Sequence, residues 1–228
     1  MRAVNIGRIA ILAAGCGAVL VAAAWNRAEK AGVEPFEEAA IFFEFNTTDN
    51  DMGVQVFVDN DEWRFVNLYS PHNRNLLQIK DKGPLAELGI TELRFESGEP
   101  SPEEVLDLFP EGVYTFRGKT LEGQRLESTA ELSHDFLPAP TFTPGDGEIV
   151  DPNNLVVMWD APGAERVQII IENEDLGHFF DVIVSDATGM LDVPPQFLQP
   201  GTEYDIEILA ISENGNRTIV EANFETLP

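Results

Sequence analysis

The alternation that begins at Tyr204 constrains the fold more than any other stretch of the 228-residue chain. Tyr204, Ile206, Ile208 and Ala210 fall on one side of an extended strand, and Asp205, Glu207 and Leu209 fall on the other. One face is therefore dry and the other mostly wet. The preceding Phe197-Leu198-Gln199-Pro200-Gly201 turns the chain into that strand, because proline presets φ and glycine accepts the positive φ that many tight turns need. Ser212-Glu213-Asn214-Gly215-Asn216 supplies the next turn, and Arg217 to Thr226 alternates again, which predicts a β-hairpin.

Earlier segments repeat the theme. Leu137-Pro138-Ala139-Pro140 reads as a stiff linker into a strand at Thr141 to Thr143. Leu155 to Trp159, Arg166 to Glu172, Phe179 to Ser185 and Leu191 to Val193 then bring the count to about seven strands with the terminal hairpin, a spacing that suits a sandwich. Upstream, Ala40 to Phe45 and Gly53 to Val58 alternate, Asp59-Asn60-Asp61-Glu62 predicts a turn, and strands are expected at Trp63 to Tyr69, Leu76 to Lys80 and Thr91 to Glu96. Ser101-Pro102-Glu103-Glu104 is a capping box that starts a short helix. Phe109-Pro110-Glu111-Gly112 leads to a strand carrying Tyr114, and Leu126 to Leu132 closes this half. The two halves end alike: Phe109 to Gly112 answers Leu198 to Gly201, and Gly123-Gln124-Arg125 answers Gly215-Asn216-Arg217. The fold class expected is all-β, two tandem antiparallel β-sandwiches over residues 40–136 and 137–228, after a polar tether at 25–39 and an export segment at 1–24.

The string Leu198-x-Pro200-Gly201-Thr202-x-Tyr204 resembles the tyrosine corner of fibronectin type III domains, and Trp159 followed by Asp160-Ala161-Pro162 resembles that family's core tryptophan and the residues after it. The resemblance covers residues 138–228. It implies a sandwich in which the Tyr204 hydroxyl bonds backbone a few residues upstream. It makes Trp159, Leu198, Pro200, Gly201 and Tyr204 structural residues. The Arg-Gly-Asp adhesion tripeptide of some members is absent. Residues 40–136 resemble a generic immunoglobulin-like fold.

Charge excludes some partners. Fourteen Lys and Arg against 40 Asp and Glu give a formal charge of −26. Such a surface repels nucleic acid and anionic lipid, whose binding relies on counterion release to Lys and Arg. A hydrophobic content of 43% with 15 Phe excludes a disordered acidic chain. Arg2 and Arg8, the apolar run Ile9 to Val21 and the small residues Ala22-Ala23-Ala24 have the make-up of a secretory signal peptide. Two alternatives stay open: an uncleaved anchor over residues 9–25, and a lipoprotein acylated at Cys16 after Ala13-Ala14-Gly15. All three export the remainder, so membrane contact is expected only through this segment. Cys16 is the single cysteine, which leaves the exported part without disulfide, thiol nucleophile or thiolate metal site.

The residues offer little chemistry. His72, His134 and His178 each sit in or beside polar loops, and neither a Gly-x-Ser-x-Gly elbow nor a His-Glu-x-x-His helix occurs. No enzyme activity and no cofactor are expected. Asp49-Asn50-Asp51-Met52-Gly53 opens like a calcium loop but misses the glycine at the sixth position and the glutamate at the twelfth, so Asp49 and Asp51 are only weak metal candidates. Asn46-Thr47-Thr48 and Asn216-Arg217-Thr218 satisfy the glycosylation sequon. Phe42, Phe57, Phe179 and Phe180 break the alternation on nominally outer faces, as a contact patch or as packing beneath neighbouring segments. The expected role is an exported, non-catalytic binding or scaffolding module, its partner a protein or polysaccharide at the cell surface. The alternatives are a calcium-dependent adhesion or matrix protein and an accessory module of a secreted hydrolase system.

Overall fold

The computed structural model describes residues 32–228. The expectations for the export segment, Cys16 and the first part of the tether lie outside the described residues.

The first half contains β1 (Val33–Glu34), β2 (Glu38–Asn46), β3 (Asp51–Tyr69), β4 (Asn75–Lys80), helix α1 (Leu85–Leu88), β5 (Ile90–Glu96), helix α2 (Pro102–Leu108), β6 (Gly112–Thr120) and β7 (Arg125–Leu132). The second contains β8 (Thr141–Thr143), β9 (Glu148–Val150), β10 (Val156–Asp160), β11 (Arg166–Asn173), β12 (His178–Ser185), β13 (Met190–Asp192), β14 (Glu203–Ile211) and β15 (Arg217–Thr226). The chain is all-β with antiparallel sandwiches, as its alternation dictates.

One expected turn is not a turn. β3 runs through Asp59-Asn60-Asp61-Glu62 as a single 19-residue strand. Residues 51–59 lie between β2 and β5, residues 63–69 lie between β4 and β6, and the register shifts between Asp59 and Trp63. The strand thus changes sheets at a corner. Asn60 is buried there and its Oδ1 accepts the Glu37 N–H at 3.2 Å. Trp63 is wholly buried and donates its indole N–H to the Thr91 carbonyl at 3.1 Å. The polar residues that suggest a loop satisfy the backbone of a bend instead.

Both sandwiches then share one strand order. In the first, β2, the front half of β3 and β5 face β4, the back half of β3, β6 and β7. In the second, β8, β10 and β13 face β12, β11, β14 and β15. The second sandwich is fibronectin type III-like. The first, which sequence reading set apart as a generic immunoglobulin-like unit, repeats its order strand for strand.

Each sandwich has its own core. Phe43, Val54, Val58, Trp63, Tyr114 and Phe116 are among those filling the first; Val157, Trp159, Ile169, Tyr204, Ile206 and Phe224 are among those filling the second. Part of the expected tether belongs to the first core. β1 pairs with β7, and Phe36 is buried with its ring against Gly118. A Cβ at Gly118 would sit 2.6 Å from that ring and 2.7 Å from the Phe65 carbonyl oxygen.

The two units are also joined laterally. β15 pairs in parallel with β2, Arg217 opposite Glu44 and Ile219 opposite Asn46, so one continuous sheet crosses the boundary. Leu137, in the expected linker, accepts a hydrogen bond from the Thr218 hydroxyl at 3.0 Å.

Candidate functional site

The residues singled out by the tyrosine-corner string converge at one end of the second sandwich. Tyr204 is 1% exposed, and its hydroxyl accepts the Gln199 N–H at 2.9 Å. The same oxygen lies 3.4 Å from the Phe197 carbonyl and 3.2 Å from His178 Nδ1. Its ring packs between Phe197 and Phe224. Leu198 and Trp159 are buried in the same core, Gly201 takes φ +64°, and Pro200 lies exposed on the turn. The corner recurs in the first sandwich, where the wholly buried Tyr114 donates to the Pro110 carbonyl at 2.9 Å. Burial pushes the Tyr114 phenol up to about 12. Through these bonds Tyr204 and Tyr114 each tie a turn to a core.

The remaining candidates stay apart. His178 belongs to the Tyr204 corner, His134 bonds the Phe109 carbonyl at 2.8 Å through Nε2, and His72 is exposed in the β3–β4 loop. Asp49 lies in the β2–β3 turn and Asp51 opens β3, and among the described residues no group of three or more potential ligands gathers there or elsewhere. The four irregular phenylalanines form no single patch. Arg217 covers Phe42 at 4.7 Å, Arg94 covers Phe57 at 4.5 Å, Phe180 packs against the second core, and Phe179 stays 42% exposed on β12.

Both sequon asparagines are buried at the junction between the sandwiches. Asn46 Nδ2 donates to Glu221, and Asn46 Oδ1 accepts the Thr48 N–H. Asn216 Oδ1 accepts the Phe43 N–H at 3.0 Å, while its Nδ2 donates to the Ser133 and Asp135 carbonyls at 2.8 and 3.0 Å. Arg217 pairs with Glu44 at 2.6 Å beside this knot. A glycan on either side chain is incompatible with these contacts.

Charge is distributed unevenly. Residues 137–228 carry Arg166 and Arg217 against 17 Asp and Glu, a formal charge of −15. Acids there even oppose acids across strands: Glu172 faces Asp205, Glu207 faces Glu221, and Glu203 faces Glu225. Burial, followed by their acidic neighbours, holds the carboxyls of Glu172 and Asp205 above the ordinary range. Burial likewise raises Asp181.

Cations instead gather on the outer face of the sheet formed by β4, β3, β6 and β7. Lys80, Phe65, Lys119 and Arg125 lie opposite one another in a single cross-strand row, and Gln78, Asn67, Arg117 and Glu127 form the next. The Arg117 guanidinium stacks over Tyr69 at 4.9 Å and pairs with Glu127 at 3.0 Å. Among the described residues Lys80, Lys119 and Arg125 form no ion pair. A shallow groove of about 290 Å³ runs past Phe65, Asn67, Tyr69, Arg117, Lys119 and Arg125. Sequence reading missed this face because its members come from strands up to 60 residues apart; the alternation of Arg117, Lys119 and Arg125 across the β6–β7 hairpin was the one local sign. Aromatics interleaved with unpaired cations suit an acidic partner that also offers apolar contact.

No family model matches the chain, and no curated protein matches it. Among solved structures it is similar to a two-domain fibronectin type III segment of chicken tenascin, at 12% identity and a TM-score of 0.33, over 84% of this chain and 99% of that one. It is similar to fibronectin domains 1–3 of chicken CNTN1, at 14% identity and a TM-score of 0.31, over 86% of this chain and 68% of that one. A bacterial ice-binding adhesin gives 11% identity and a TM-score of 0.27, over 83% of this chain and 64% of that one. At scores this low the likeness adds nothing to what the strand order and the corner tyrosines already establish.

Proposed function

We infer that the chain is an exported, non-catalytic binding or scaffolding module of the cell envelope or extracellular space. The observation that carries this reading is the lateral junction. Two sandwiches that a linker alone would leave free to swing are joined through β2 and β15, with Asn216 and Arg217 at the seam. Domains within a chain move relative to one another by default unless their interface is substantial. A junction of this kind fixes the relative placement of two sheet faces, which serves recognition of a partner wider than one domain.

The dispersal of the histidines supports a non-catalytic role, since each is tied to a separate structural task or loop. The arginines and apolar run of residues 1–24 support export. Among the described residues no helix is long and apolar enough to cross a membrane.

Fractionation of cells that express the full chain with a C-terminal tag tests the reading. Recovery of the protein in the envelope or medium, in surface-crosslinked adducts that depend on Lys119 and Arg125, supports it. Recovery in the cytoplasm overturns it.

A further inference from the structure

We propose that this protein forms a closed, two-fold symmetric dimer in which the basic aromatic face of each first sandwich seats the small methionine face of the partner copy's second sandwich. The second of these faces belongs to β8, β10 and β13. Val157, Trp159 and Leu191 point into the core, so Met158, Asp160, Met190 and Asp192 point outward. Met158 and Met190 are directly paired across strands and are 50% and 57% exposed. Asp192 pairs one row to one side, opposite Val156, and Asp160 one row to the other, opposite Thr141. The face is thus an exposed thioether pair between two carboxylates.

The basic face is its complement. Four residues on β10 and one strand spacing separate Asp160 from Asp192, roughly 14 Å from standard strand dimensions. Lys80 and Arg125 stand at the ends of a four-strand row, also roughly 14 Å apart, with Phe65 between them. Methionine sulfur packs favourably against aromatic rings, and unbranched methionine adapts to an imperfect partner. Superposing the faces sets the methionine pair on Phe65 and carries each aspartate toward a cation that has no ion pair among the described residues.

The lateral junction decides which assembly follows. β15 pairs in parallel with β2, so Thr218 lies opposite Phe45 on one side of the continuous sheet. Phe45 packs against the first core, and Phe224, on the Thr218 side of β15, lies in the second. Both second layers therefore stack on the same side of that sheet, and the two outer faces look the same way. A single chain cannot bring one onto the other. Two chains related by a two-fold axis make both contacts at once, and the assembly closes instead of extending into a fibre. Doubling also offsets the small area of each face.

The second copy is favoured over an anionic polysaccharide because this one chain carries both surfaces, matched in charge and in apolar content. The inference goes beyond the binding role proposed above, which stands with another partner if the dimer fails.

Sedimentation velocity of the full chain at about 0.15 M salt tests it, since long-range repulsion between two acidic chains is then screened beyond about 8 Å. All the substituted residues are on the surface, and melting temperature checks their folding. The wild-type chain is expected to dimerise with rising concentration. Lys80→Asp with Arg125→Asp, and separately Asp160→Lys with Asp192→Lys, are each expected to weaken dimerisation at least tenfold. All four substitutions in one chain are expected to restore it. A wild-type chain that stays monomeric, a dimer indifferent to both pairs, or a four-fold variant that remains monomeric overturns the proposal. So does a monomer that binds polygalacturonate through Lys119 and Arg125, which would assign the basic face to a polyanion.

Discussion

The side-chain carbonyl of Asn216 accepts the backbone N–H of Phe43 at 3.0 Å, across a sequence separation of 173 residues. Phe43 is wholly buried in the first core, so this bond ties the last hairpin of the chain to the interior of its first sandwich. With its other atom the same amide ties Ser133 and Asp135, the segment that leads out of that sandwich. Asn216→Ala leaves the buried Phe43 N–H and the part-buried Ser133 carbonyl without this partner, while the Asp135 carbonyl keeps the Asn214 amide at 3.1 Å. A loss of about 2–3 kcal/mol is expected, from several neutral hydrogen bonds and the desolvation of what they leave behind. Urea unfolding measures it, and proteolysis between residues 133 and 140 should accelerate in the variant. Unchanged cleavage would mean that the pairing of β2 with β15 holds the junction alone.

The paired tyrosine corners make a second expectation. Tyr114→Phe and Tyr204→Phe each keep the ring and remove a hydroxyl bound to backbone, at an expected cost of about 1–2 kcal/mol. Tyr204→Ala, which also opens a cavity, should cost on the order of 3–5 kcal/mol. Because burial pushes the Tyr114 phenol up to about 12, Tyr114→Phe should remove an ionisation near that pH from an ultraviolet titration. Simultaneous ionisation of all tyrosines below that point would show that Tyr114 is not held as described.

Gly118 is required by contact, not by backbone conformation. The Phe36 ring and the Phe65 carbonyl occupy the space a side chain would need. Gly118→Ala must displace Phe36, and a loss of about 1–3 kcal/mol is expected, as for other overpacked cores. A double variant with Phe36→Leu should recover part of it. Full stability in Gly118→Ala alone would show that Phe36 leaves the core at little cost.

Stability should rise as the solution is mildly acidified. Glu172, Asp205, Asp181 and Glu38 all have carboxyl pKa values raised in the folded chain, first by burial. A carboxyl raised in this way binds its proton more tightly folded than unfolded. Its contribution is fully present below the unfolded pKa and is lost as the pH rises through the folded one. The melting temperature should therefore increase between about pH 7 and pH 5, the reverse of a protein held by salt-bridged carboxylates. Asp205→Asn, which removes the like charge opposite Glu172, should stabilise by about 0.5 kcal/mol and flatten the dependence. A melting temperature that falls over this interval would contradict the assignment.

By itself the sequence determined the second sandwich almost completely. Tyr204, Ile206 and Ile208 alternate with acids, and a period of two is a local property that survives without tertiary context. Pro200 and Gly201 dictate their turn by their own backbone preferences, and Trp159 marks the core in the same local way. Tertiary structure decided the rest. Asp59 to Glu62 have turn composition, but the neighbours of Trp63 and Asn60 make them a strand crossing between sheets. Phe36 is one apolar residue in a segment of tether composition, and only Gly118, 82 positions away, provides its socket. Asn46 and Asn216 read as surface sequons and lie buried in the seam, because burial there depends on strands 173 residues apart coming together. The basic row and the methionine face were illegible for the same reason. Lys80, Lys119 and Arg125 become neighbours only through strand register, and register between distant strands is set by cores and bends that no local pattern records.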